Sequence, residues 1–148
     1  MSLRERQKRV LASKDIIRDA RPGAVYAVTD AAIRFPETDE ALRSHHPVRW
    51  VILVQSTQLC QAASPRTILV VPCSSSHRGK LGSYDLSVPR GTDGFDAEAV
   101  VAYVSLIQPI LKADLKQYKG FIGTDFLSDI WRTLASVVGL SDGQPPKS

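Results

Sequence analysis

Cysteine and histidine are both scarce in this chain. Of its 148 residues two are cysteines, Cys60 and Cys73, and three are histidines, His45, His46 and His77. Two thiols cannot build a structural zinc site, and the histidines reproduce no metal-ligand spacing. No metal and no cofactor is therefore expected. The cysteines read as two reduced thiols, with a Cys60–Cys73 disulfide as the alternative. No apolar run is long enough to span a bilayer. Residues 1–21 are basic and lack the apolar stretch of a secretory signal, so no membrane partner is expected and the cytoplasm is the expected location. An excess of either charge is also missing. Nineteen Lys and Arg face fifteen Asp and Glu, a net charge of +4. Such mild basicity suits a polyanionic partner without requiring one. The chain is 43% hydrophobic, which at this length suits one domain with one real core.

Two apolar runs of strand length stand out. The first is Arg49-Trp50-Val51-Ile52-Leu53-Val54-Gln55-Ser56; the second runs over 67–76 and ends Val71-Pro72-Cys73-Ser74-Ser75-Ser76. Both are rich in Val and Ile and bounded by turn-forming residues. A guanidinium opens one and hydroxyls close the other. An arginine and a hydroxyl at one end of a sheet can grip a phosphate.

Around these runs, residues 3–19 read as a helix, stopped by Arg21-Pro22-Gly23. Residues 23–30 read as a first strand. Residues 31–47 form a long polar connection, either functional or partly disordered. Residues 74–82 are a polar, basic loop. Strands are expected at 83–88 and 97–104, with 105–111 continuing the sheet, and 114–123 contains a turn. Thr124 is placed to cap a final helix through about Val138, where Phe126, Leu127, Ile130, Trp131, Leu134, Val137 and Val138 recur at helical spacing. Gly139 supplies the stop. These boundaries divide the chain into a basic helical extension (1–20), one folded domain (21–140) and a disordered tail (141–148). Short strands followed by one amphipathic helix point to a small barrel with the helix packed on it.

In order and spacing these segments resemble the MazF/PemK family of toxin endoribonucleases. Arg21-Pro22-Gly23-Ala24-Val25-Tyr26 is similar to the opening of the family's first strand. Arg49 to Ser56 is similar to its Arg-Pro strand, and Val71-Pro72-Cys73-Ser74-Ser75 to its Pro-Cys-Thr-Thr strand end. Tyr84-Asp85-Leu86-Ser87-Val88 matches a Glu-Val-x-Leu-type strand. The resemblance covers roughly residues 21–140. It implies a mainly β fold with helices (α+β), an SH3-like small barrel of the CcdB/MazF/PemK type. It also implies a homodimer that cleaves single-stranded RNA without a metal, and an antitoxin that occupies the RNA groove. Two positions depart from the pattern. Trp50 stands where proline is usual, and Ser74 stands where threonine is usual. An alternative alignment places His46-Pro47 at the Arg-Pro position. A catalytically inactive binding module for RNA or a protein partner is the alternative function, because one fold serves many functions.

Metal-free RNA cleavage asks little of the protein. The substrate's own 2′-OH attacks the adjacent phosphate and leaves a 2′,3′-cyclic phosphate. Arg49 suits stabilisation of the phosphate charge, because it stays cationic and can hold two oxygens. Its high pKa makes it a reluctant proton donor to the leaving 5′-oxygen. Ser74 suits positioning through its hydroxyl. Ser75, His77, Arg78 and Lys80 form the expected RNA-contacting rim, and His77 is a candidate proton shuttle. His46 is the alternative catalytic residue. Glu37, Asp39 and Glu40 are candidates for a loop carboxylate acting as base, with solvated loop residues as the favoured reading. Trp50 is expected on the sheet face opposite Arg49, and Trp131 in the core.

Overall fold

The computed structural model describes residues 2–5, 15–35, 48–75, 77, 79–90 and 100–140. Seven strands form one antiparallel sheet: β1 (Ala24–Thr29), β2 (Val48–Leu53), β3 (Thr67–Ser74), β4 (Asp85–Ser87), β5 (Val101–Tyr103), β6 (Gln108–Leu111) and β7 (Leu115–Phe121). Among the helices described over their full length are the short α1 (Thr57–Gln61) and α2 (Thr124–Val137). The strand order is β4-β5-β3-β2-β1-β7, with β6 also on β3. The mainly β architecture matches the expectation. The ring does not close: among the described residues, β4 and β7 each pair with a single strand. The eight-residue β3 is the spine. It pairs with β2 along one edge, and with β6 and then β5 along the other.

Period-two alternation sorts the strand residues onto two faces. Tyr26, Val28, Val51, Leu53, Ile68 and Val70 enter one cluster with Ile33, Phe35, Ile110 and Leu115. Val25, Ile52, Val71, Cys73 and Ala102 enter the other, which α2 covers with Phe126, Leu127 and Ile130. Each of these helix side chains contributes about 1.5–3 kcal/mol by burial. Both faces are covered, so β1 has no polar alternation and is buried over its first five residues.

Four details differ from the sequence reading. The first apolar run stops being a strand at Leu53, because Ser56 accepts a hydrogen bond from the Leu59 backbone N–H (3.3 Å) and caps α1. Gly123, not Thr124, occupies the N-cap of α2. Trp131 is 48% exposed rather than in the core, since the helix turns about 100° between Ile130 and its neighbour. The region 114–123, expected to contain a turn and assigned no strand, is mostly the strand β7. The expected helix over 3–19 is described only in part, at Leu3–Glu5 and from Asp15 on. Most of the 31–47 connection, with its histidines and carboxylates, lies outside the described residues.

Cys60 and Cys73 are free and buried, one in each cluster, on opposite sides of the sheet. Burial pushes both thiols above their ordinary value of 9.0, with Lys112 partly opposing the shift at Cys60. Burial likewise raises the Tyr26 phenol, helped by Asp19 and opposed by Arg18. These acids stay protonated in the folded chain and ionise more readily in the unfolded one. Their contribution to stability is therefore complete below pH 9.0 and is lost as pH rises through the folded values. Urea midpoints should be flat with respect to these groups below that pH and fall above it. A thiol reagent should label neither cysteine in the folded protein and both after unfolding.

Candidate active site

The antiparallel register makes the site. Trp50 pairs with Cys73, so Arg49 at the start of β2 lies beside Ser74 at the end of β3. Both lie on the face that carries Val51, Leu53, Ile68 and Val70, and both are only 3% exposed. Trp50 points to the opposite face and packs against the cluster under α2, as alternation requires.

A buried guanidinium needs partners. Arg49 Nε donates to Asp30 Oδ1 at 2.8 Å, and Nη1 donates to Ser74 Oγ at 3.1 Å. Asp30 sits in the 3-10 turn just past β1, and its side chain is 23% exposed. The guanidinium carbon also lies 5.4 Å from the centre of the Phe35 ring. The remaining nitrogen, Nη2, is buried and, among the described residues, has no hydrogen-bond partner. Such a group costs about 1–3 kcal/mol, and more when charged.

Arg49 and Ser74 open onto a cavity of about 440 Å³ that crosses the neighbouring strands β3, β2, β1 and β7. Thr29, Val48, Trp50, Ser75, Lys116, Gln117 and Lys119 also line it. Its described lining holds three cationic side chains and no carboxylate, an environment that favours an anion.

Of the residues singled out from the sequence, Arg49, Ser74 and Ser75 meet in this cavity. His77 and Lys80 are not part of its described lining. The His77 ring is engaged on both sides. Nε2 faces the Lys80 carbonyl at 3.3 Å, which only accepts, so Nε2 donates. In the neutral ring Nδ1 then accepts from the Tyr103 hydroxyl at 2.8 Å. That phenol is pushed up to about 12, first by burial, then by the nearby Asp85 carboxylate, with Arg49 opposing. It remains a donor. His46 and Arg78 lie outside the described residues.

Sequence reasoning missed Asp30, Lys116 and Lys119. Asp30 carried no signal beyond being a carboxylate at a strand end. The two lysines sit on β7, whose pairing with β1 shifts register twice. Val25 faces Gly120 while Tyr26 faces Tyr118, and Ala27 faces Gln117 while Val28 faces Leu115. Lys119 and Lys116 are the extra residues at these two irregularities. A bulge re-aims the side chain it carries, so two residues three apart both reach the one cavity. The same bulges break the alternation that would have marked a strand.

No family model matches the chain, and no curated protein matches it. Solved structures do. An endoribonuclease from a mycobacterial species, in complex with its cognate antitoxin, superposes with a TM-score of 0.58 at 14% identity, covering 82% of this chain and 96% of that one. MazF from Deinococcus radiodurans gives a TM-score of 0.60 at 12% identity, covering 82% and 97%. The Mycobacterium tuberculosis toxin MazF-mt6 gives 0.56 at 13% identity, covering 80% and 98%. Alignment over nearly the whole length of each of these proteins, at identities this low, is agreement of fold: the chain has the fold of the MazF toxins.

Proposed function

We propose that this protein is a metal-independent endoribonuclease toxin that cleaves single-stranded RNA. The observation that carries the reading is Arg49. It is buried, fixed by Asp30 and Ser74, and its Nη2, beside a cationic cavity, finds no acceptor among the described residues. A phosphate oxygen is the acceptor that Nη2 lacks. Because Nη2 is covered, side chains around the cavity shift as the phosphate seats. The 2′-OH of the preceding nucleotide then attacks phosphorus, the bond to the 5′-oxygen breaks, and the products carry a 2′,3′-cyclic phosphate and a 5′-OH. Arg49 stabilises the charge on the non-bridging oxygens. Ser74 positions both the guanidinium and the phosphate. A homodimer and an antitoxin in the RNA groove complete the proposal. Solved structures of this fold include a complex with an antitoxin. Trp131 on α2 and Val138 just past its end, both exposed, offer an apolar patch for a second copy.

The test is incubation with a mixed single-stranded RNA pool in EDTA, with mapping of cut sites and end chemistry. Cleavage that persists in EDTA and leaves cyclic phosphate ends is the expected result. Intact RNA at high protein concentration would overturn the catalytic reading and leave a binding module on the same fold. Ser74→Ala should slow cleavage by about 10- to 100-fold, the worth of one hydrogen bond to a charged group. Ser74→Thr keeps the hydroxyl and should retain most of the rate.

A further inference from the structure

The geometry points to a second phosphate subsite, formed by Lys116 and Lys119, that holds a phosphodiester adjacent to the one cleaved. This inference rests on the proposed RNA cleavage and specifies how the substrate lies across the cavity. Arg49 is spoken for: its Nη1 is drawn toward Ser74 on β3, and its Nε is tied to Asp30. In the sheet order β3-β2-β1-β7, the lysines lie two strand spacings away from β2, on the side opposite Ser74. At about 4.8 Å per spacing their backbones are roughly 10 Å from that of Arg49. A phosphate held against Arg49 and Ser74 therefore leaves the lysine side of the cavity open to the next stretch of the nucleic-acid backbone.

The lysines' placement is specific to this end of the molecule. Each falls at a register shift of β7, and both line the cavity. Gln117 lies between them and adds an amide that can donate to a phosphate or a base edge. Lys116 is exposed and Lys119 half-buried, so neither contributes the kind of buried packing that would explain it as structural. Arg49 Nη2, buried and without a partner among the described residues, is the independent sign that the cavity receives an anion. Cations on β2 and on β7, two strand spacings apart in one cavity, suit an extended polyanion better than a single phosphate group.

The experiment is fluorescence anisotropy of a 2′-deoxy single-stranded oligonucleotide, which binds but cannot be cut, titrated at several salt concentrations. Losing two phosphate contacts should flatten the plot of log affinity against log salt by about 1.4, at about 0.7 per contact on a single strand. The Lys116→Gln, Lys119→Gln double variant should show this change. Between 50 and 200 mM salt it would lose about sevenfold less affinity than the wild type. Arg132→Gln is the control, an exposed charge on the outside of α2 that pairs with Asp129. It should leave the slope unchanged. An unchanged slope in the double variant overturns the subsite, as does an equal change in Arg132→Gln, which would mean a general field effect. If the wild type binds with a lysine-dependent slope yet leaves RNA intact, the subsite stands and the cleavage reading fails. Urea midpoints of all three proteins establish that folding is not the cause.

Discussion

Arg49→Ala is expected to lower the rate of RNA cleavage by at least about 10³-fold, because the substitution removes the cation that meets the phosphate as its charge grows. Single-turnover cleavage of one defined RNA, measured beside the wild type, reads the loss directly. The substitution also breaks a buried ion pair, and the structural cost must be separated from the catalytic one. Asp30 keeps 23% of its side-chain surface exposed, so the carboxylate left behind can hydrate. The penalty should then fall below the 3–5 kcal/mol of a fully buried orphan charge. Arg49→Lys supplies the second measurement. It keeps a positive charge against Asp30 but loses the planar fork that bonds Asp30 and Ser74 at once and still presents Nη2. A folded Arg49→Lys protein that cleaves at nearly the wild-type rate would overturn the proposed role of the guanidinium geometry.

The Arg49–Ser74 pair was legible in the sequence for a simple reason. Two adjacent apolar runs of strand length pair antiparallel, so the start of one meets the end of the other. Alternation also put Trp50 on the far face. The rest of the cavity was not legible, and each omission has a local cause. β7 reads Leu-Lys-Gln-Tyr-Lys-Gly-Phe, a polar segment whose two register shifts remove the period-two pattern. Asp30 reaches Arg49 across a separation of nineteen residues, which no local pattern encodes. His77 lies three residues past Ser74 in sequence, yet its ring turns to Tyr103 and the Lys80 carbonyl. Trp131 fitted the apolar recurrence of α2, but the stripe that packs against the sheet runs through Phe126, Leu127 and Ile130 with Leu134 and Val137 half-buried beside them, and leaves Trp131 out.

Gly23→Val should destabilise the fold by about 2–4 kcal/mol, and Gly23→Ala by somewhat less, from two separate effects. Gly23 has φ of +90°, a conformation that costs a residue with a Cβ about 1–3 kcal/mol. A Cβ there would also lie 2.6 Å from Cε2 of Phe121, and such crowding adds about 1–3 kcal/mol unless the ring moves. The Arg21 guanidinium stacks over the ring at 4.0 Å, so a ring that swings away gives up that contact. The backbone cannot shift cheaply either. Gly23 N–H donates to the Leu53 carbonyl at 2.8 Å, and its own carbonyl accepts from Ile122 N–H at 3.1 Å. The residue thus ties the entry of β1 to the ends of β2 and β7, the three strands that carry Asp30, Arg49 and the two lysines into place. Urea unfolding measures the loss. The double variant Gly23→Ala, Phe121→Leu removes the crowding but not the backbone strain, so it distinguishes the two. If Gly23→Ala alone unfolds at the wild-type midpoint, the positive φ is not what this turn requires.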